Sequence, residues 1–225
     1  MIVECHLDFE SRSPVDPSDV GLHCYIFHPE TEPLFLWYRI GDGEYKCWRI
    51  WEGETVPAEL AVALNDPKVM LVAFNSAFER YMLQKLGCVV PASRFIDPQV
   101  GGRYLSLPAS LEVQGEVLGL PDHLAKDRRG VELIKLFSQK VFVKASKKRP
   151  ASSHYNDWNS HPTEWAEFLE YGKRDVIAEG ELLRRERLLG VFQKLCPLSR
   201  VRVPIIVMRG RWALLVRLHD DLLAK

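Results

Sequence analysis

Val69–Phe74, reading Val-Met-Leu-Val-Ala-Phe, is the stretch that most restricts how this chain can fold. A strand of that composition has no polar face. It has to be covered on both sides, which means the interior of a sheet with helices above and below. The flanking text agrees. Pro57–Leu64 reads as a helix with Pro in its first turn, stopped by Asn65-Asp66-Pro67. Ala77–Leu86 reads as a second, opened by Asn75-Ser76 and closed by Gly87. Upstream, Leu34–Ile40 and Tyr45–Trp51 flank Gly41-Asp42-Gly43-Glu44, a hairpin signature. Early strands followed by alternating helices and strands predict an α/β domain with a mixed central sheet.

The rest of the chain reads less sharply. Val3–Glu10 alternates as a strand, Ser11–Gly21 as a loop rich in Pro and Ser, and Leu22–His28 as strand-like. Phe95–Asp97 suits a short strand. Pro98–Leu105, Ser110–Leu118 and Val131–Phe137 suit helices, the second capped by Ser110. Val141–Ser160, basic and then polar, reads as a long loop. Thr163–Leu189 is the longest helical pattern, with Thr163 as cap and Trp165, Phe168, Leu169, Val176, Leu182 and Leu183 as its apolar stripe.

Composition excludes some classes. In 225 residues no apolar run reaches the ~18 residues of a membrane span. The N-terminus lacks the basic and apolar regions of a secretory signal. Cys5, Cys24, Cys47, Cys88 and Cys196 are scattered and odd in number, as expected of reduced thiols in a cytoplasmic protein. Net charge is zero, but residues 1–60 hold 12 acidic against 4 basic residues. Residues 125–150 reverse this, with Lys126, Arg128 and seven further cations against Asp127 and Glu132. An acidic start and basic middle suit solvation, or a site where acids hold metal and a basic segment holds phosphates.

Three places carry candidate chemistry. On Val3–Glu10 the period of two sets Val3, Cys5, Leu7 and Phe9 against Glu4, His6, Asp8 and Glu10. Asp8 and Glu10 are neighbouring carboxylates on one side, which repel unless a proton or cation lies between them. Hard divalent cations prefer such oxygens; a solvated edge strand also accounts for the pair. Asp42 and Glu44 form an identical pair that the turn explains by itself. Glu79 lies in a helix first turn, where the macrodipole alone favours it. Tyr171 and Asp175 are four apart, on one helix face.

Taken together, these residues resemble the 3′–5′ proofreading exonucleases of the DEDD superfamily, tyrosine subtype, and above all the exonuclease domain of bacteriophage-type family A DNA polymerases. Asp8-Phe9-Glu10 is similar to the first motif, Asn75-Ser76-Ala77-Phe78-Glu79 to the second, and Tyr171 to Asp175 to the third. A histidine subtype would need His where Glu170 stands. Text between the motifs also resembles the phage group: Asp97-Pro98, Arg103–Pro108, Leu118–Leu120, Lys126-Asp127 and Leu133–Gln139. One departure is Glu79, where most of the superfamily has Asp.

The resemblance implies a ribonuclease H-like α/β fold, a mixed sheet flanked by helices, with an exonuclease domain over 1–190 and a tail over 191–225. It implies two divalent cations, Mg²⁺ or Mn²⁺, held by Asp8, Glu10, Glu79 and Asp175, with the Tyr171 hydroxyl orienting the attacking water. Single-stranded DNA or a frayed 3′ end would be the substrate, contacted by Phe9, Asn75, Phe78, Lys126 and Arg128. Each of those contacts also has a structural reading, as core ring, helix cap or solvated charge. His6 would only flank the site. The expected setting is the cytoplasm of a bacterium or phage-infected host. The tail, Val201–Lys225, partly resembles the opening of a following polymerase domain, so a truncated polymerase, half of a split one and a free exonuclease are all open. A polymerase chain is a candidate partner, and no polymerase motif is present. The motifs do not separate DNA from RNA, which leaves an exoribonuclease as a rival. A catalytically silent DNA-binding or polymerase-docking module is a rival from another class.

Overall fold

The computed structural model describes residues 3–124, 128–146 and 150–190. The expected tail, 191–225, and Lys126 lie outside them. In chain order the elements are β1 (Val3–Arg12), α1 (Pro17–Val20), α2 (Leu22–Ile26), β2 (Glu32–Ile40), β3 (Lys46–Trp48), α3 (Ala58–Asn65), β4 (Val69–Val72), α4 (Ala77–Lys85), β5 (Phe95–Ile96), α5 (Pro98–Tyr104), α6 (Leu111–Val117), α7 (Arg128–Ser138), β6 (Val141–Val143), β7 (Ser152–His154) and α8 (Pro162–Leu188).

Five strands form a mixed sheet in the order β3-β2-β1-β4-β5. The β1–β2 and β2–β3 pairs are antiparallel; β1–β4 and β4–β5 are parallel. The apolar run at Val69 is an interior strand, as its composition requires. On one face Cys5, Leu7, Phe9, Leu36, Tyr38 and Leu71 pack with Leu60 and Leu64 of α3 and Met82 and Leu83 of α4. On the other, Phe35 packs with Leu133 and Phe137 of α7 and with Trp165, Phe168 and Tyr171 of α8. This is the expected α/β architecture, a mixed sheet flanked by helices.

The alternation read from β1 holds, with a consequence. Cys5, Leu7 and Phe9 face the α3–α4 side, so His6, Asp8 and Glu10 face the side covered by α8. The strand continues to Arg12 through a register shift between Glu10 and Ser11. α8 approaches closely at Gly172, where an added Cβ would stand 2.9 Å from Phe35 and 3.2 Å from Trp37.

Several local expectations are corrected. Leu22–His28 is not a strand: Leu22–Ile26 is a short helix after Gly21, which it leaves at φ 80°, and it turns Tyr25 and Ile26 into the core. Tertiary burial outweighs strand propensity there. Ser11–Gly21 is not all loop. It contains the end of β1 and a one-turn helix begun by Asp16 and Pro17. The second hairpin arm ends at Trp48, followed by a 3₁₀ turn over Ile50–Glu52. Within 141–160, expected as a loop, β6 and β7 pair antiparallel. Thr163 is not the cap of α8; His161 holds that position and Pro162 opens the helix, the usual place for a residue without an N–H. No helix among the described residues is long and apolar enough to cross a membrane, and no described cysteine is in a disulfide.

Candidate functional site

The acids meet at the carboxyl-terminal ends of the parallel strands β1 and β4, where the chain leaves in opposite directions, to β2 on one side and α4 on the other. Open α/β sheets place ligands at such points. Beyond His6, β1 has no β4 partner, so its backbone on that side is free to meet the first turn of α4. Glu79 uses this opening. It is only 2% exposed, and the backbone N–H groups of Phe9 and of Glu79 itself lie near its carboxylate. Burial, then the neighbouring Asp8, push the Glu79 carboxyl well above the usual carboxylate range; its own N–H opposes and Asp97 adds to the rise.

α8 brings the third group. Tyr171 is buried in the aromatic cluster with Phe168 and Phe137, and its hydroxyl donates to Asp175. Burial first, then the negative charges of Asp175, Glu10 and Asp8, push its pKa up, so the phenol keeps its proton. The structure therefore brings Asp8, Glu10, Glu79, Tyr171 and Asp175 to one place, from residues spread over most of the chain.

One member of the cluster is missing from the sequence reading. Glu179 follows Asp175 by one helical turn, is 2% exposed and faces the same acids. Burial, then Asp8, Glu79 and Asp175, raise its pKa well above normal, while the backbone N–H of Phe74 opposes the rise. The spacing Tyr171, Asp175, Glu179 is a strict i, i+4, i+8 row, a signal present in the sequence. In Glu79 and Glu179 alike one carboxylate oxygen, Oε2, is buried without a hydrogen-bond partner.

A buried carboxylate oxygen left unpaired is costly, and an all-oxygen donor set suits a hard divalent cation. On those two counts the residues fit a cation such as Mg²⁺. Among the described residues, no group of three His, Cys, Asp or Glu side chains is arranged so that it could hold a metal ion.

The turn between β4 and α4 is held from two sides. Glu179 lies near the N–H of Phe74. Asp97 accepts the N–H of Asn75 at 3.0 Å and that of Ser76 at 2.8 Å, plus the Ser76 hydroxyl at 2.9 Å. Asn75 is thus not the cap of α4. It sits in the left-handed region at φ 62°, exposed, with Ser76 in the cap position making no capping bond of its own. Asp97, read from the sequence only as part of a resemblance, does the capping and also caps α5 through Gln99.

Other candidates fare unevenly. Phe9 is 4% exposed and belongs to the core, because the period of two that aims Asp8 and Glu10 at α8 aims Phe9 away; it offers no face to a base. Phe78 packs partly buried against the same core. Arg128 begins α7. Asp42 and Glu44 are exposed in their turn, far from this company.

Gly130, in α7, is a second omission from the sequence reading. A Cβ there would overlap the Tyr171 ring at Cε2, Cδ2 and Cζ, so the absence of a side chain makes room for the ring. Gly130→Ala should cost about 1–3 kcal/mol by overpacking. In a Tyr171→Ala background the same change should cost little, since the ring it strikes is gone. Urea denaturation of the four proteins measures this; an equal cost in both backgrounds would show that the ring contact is not the cause.

The fold and the acidic site define an α/β domain with a buried carboxylate cluster at the ends of its parallel strands. No family model matches the chain. It is 30% identical over 181 residues to a DNA polymerase of Bacillus phage SP02; the alignment covers 80% of this chain and 27% of that polymerase. The chain is therefore similar to a region of a phage DNA polymerase and spans about a quarter of its length.

Proposed function

We propose that this chain is a metal-dependent 3′–5′ exonuclease of the DEDD type with a ribonuclease H-like fold, acting on the 3′ end of single-stranded or frayed DNA. The observation that carries the reading is the meeting of Asp8, Glu10, Glu79 and Asp175 with a protonated Tyr171 bonded to Asp175. Similarity to part of a phage DNA polymerase supports a proofreading role beside a polymerase, either in a longer chain or as a partner.

Two divalent cations bound to these carboxylates would neutralise phosphoryl charge, activate water and assist the leaving oxygen. Asp8 and Glu10, from one strand, and Asp175, from α8, would hold them, with Glu79 closing the α4 side. Tyr171 keeps its proton at Oη because burial and three acids disfavour the phenolate. Its hydroxyl can therefore donate to Asp175 while its oxygen lone pair accepts a hydrogen bond from the attacking water. Asn75, exposed and held by Asp97 through its N–H, would hydrogen-bond the substrate.

The test is digestion of 3′-labelled single-stranded DNA and RNA, with Mg²⁺, with Mn²⁺ and with chelator. Mononucleotide release from DNA, stopped by chelation and restored by either cation, is expected. Release from RNA alone would move the assignment to an exoribonuclease. No release from either, by folded protein with cation present, would leave a binding module.

A further inference from the structure

Toward the other end of β1 the sheet and α8 enclose a cavity of about 620 Å³. Glu4, His6 and Arg39 line it from the sheet, and Gly180, Arg184 and Arg187 from α8. Glu4 lies four residues before Asp8, or about 13 Å along an extended strand, while His6 and Gly180, next to Glu179, form the side of the cavity that adjoins the carboxylate cluster.

Most charges in this wall are already paired. Arg187 clamps Glu4 through both terminal guanidinium nitrogens. Arg184 holds Glu181 at 2.7 and 2.8 Å. Glu4 also stands 3.6 Å from His6 Nε2. Arg39 is different. Among the described residues no carboxylate pairs with it; its guanidinium lies over the Tyr45 ring, 4.9 Å from the centroid, and its Nε is buried without a hydrogen-bond partner. His6, 4% exposed, has Nδ1 in the same condition. Gly180 leaves the gap beside them: an added Cβ would stand 3.2 Å from His6 Nδ1 and 3.9 Å from Arg39 Nη2. Of the Asp, Glu, Lys and Arg side chains lining the cavity, the three arginines exceed Glu4 and Glu181 by one positive charge.

A half-buried guanidinium without an anion is an unfinished ion pair, and such groups are expensive to bury alone. The guanidinium fork matches carboxylate or phosphate oxygens. The cavity is of the size that takes a small organic ligand rather than a bare ion, and Tyr45 and Leu124 supply apolar wall for a base or sugar. We propose that this cavity binds an organic phosphate of nucleoside monophosphate size, with its phosphate on Arg39 and Arg184 at the mouth. The site does not depend on the nuclease reading.

The test is a titration of isotope-labelled full chain in chelator, which keeps the carboxylate cluster free of cation, with thymidine monophosphate, inorganic phosphate and thymidine in separate arms. The nucleotide should move the amide signals of Tyr45 and Leu124 with a dissociation constant of roughly 0.1–1 mM. Inorganic phosphate should bind about tenfold more weakly, and thymidine not measurably. Arg39→Gln should weaken nucleotide binding about tenfold, and Arg184→Gln, an exposed change safe for folding, about threefold. Three results would each overturn the proposal: nucleotide shifts confined to the residues around Asp8 and Tyr171, phosphate binding as tightly as the nucleotide, or unchanged affinity in Arg184→Gln. An Arg39→Gln protein that folds and binds normally would do the same.

Discussion

Asp8→Ala should lower metal-dependent release of mononucleotides from single-stranded DNA by about 10³-fold or more, since groups that act as a unit fail together. The fold should survive. Asp8 is not in either apolar cluster, and its charge is among the causes that push Glu79, Glu179 and Tyr171 from their ordinary pKa values. Removing it relieves like-charge crowding, so the melting temperature should stay within about 3 °C of wild type, the range of a ΔΔG near 1 kcal/mol for a chain of this size. Asp8→Asn, which keeps the shape and loses the charge, should be as inactive as Asp8→Ala. Wild-type rates in a folded Asp8→Ala protein would remove the acids from the reaction, and with them the proposed exonuclease.

A second large effect concerns stability and pH. Glu186, near the end of α8, is 0% exposed, and neither of its oxygens has a hydrogen-bond partner of normal geometry. Burial, then the charge of Asp97, raise its pKa to about 8; the Gly102 N–H lies close enough to oppose this only in part. Below the ordinary glutamate pKa both folded and unfolded states hold the proton and the group is neutral in its effect. As pH rises the unfolded chain ionises first, so the folded state loses ground until about pH 8 and carries the full penalty above it. At pH 9 that penalty is about 3–5 kcal/mol. Glu186→Gln should therefore leave stability nearly unchanged at pH 4 and raise it by that amount at pH 9. Urea denaturation at the two pH values measures the difference; an equal effect at both would mean that ionisation of Glu186 is not the source. Glu79 and Glu179 shift the same way, so the Glu186→Gln chain should still be most stable in mild acid.

These two residues divide along what the chain alone could tell. Asp8 was legible because a strand writes its faces into every second residue, and Glu10 beside it on the polar face made the pair visible. Tyr171 and Asp175 were legible for the analogous helical reason. Glu186 was not, since a lone Glu in a charged helix looks like solvated surface until α5 is seen against it. Glu179 lay between these cases. Its i+4 spacing from Asp175 was in the sequence, but nothing local said that the helix face would be buried against β1.

The sequence by itself determined the elements whose signal is a property of chain neighbours: the doubly covered strand at Val69, the Gly-Asp-Gly hairpin, the acid-bearing face of β1 and the long helix carrying Tyr171 and Asp175. Tertiary structure alone decided the rest. It made Leu22–Ile26 a helix by burying Tyr25 and Ile26, transferred the capping of α4 from Asn75 to Asp97, set Gly130 beneath the Tyr171 ring, and left Arg39 facing a cavity with no carboxylate pairing it among the described residues. The physical reason is common to all four. Burial, capping at a distance and the pairing of charge depend on groups far apart in the chain, and their energies arise only when the sheet and α8 close on one another.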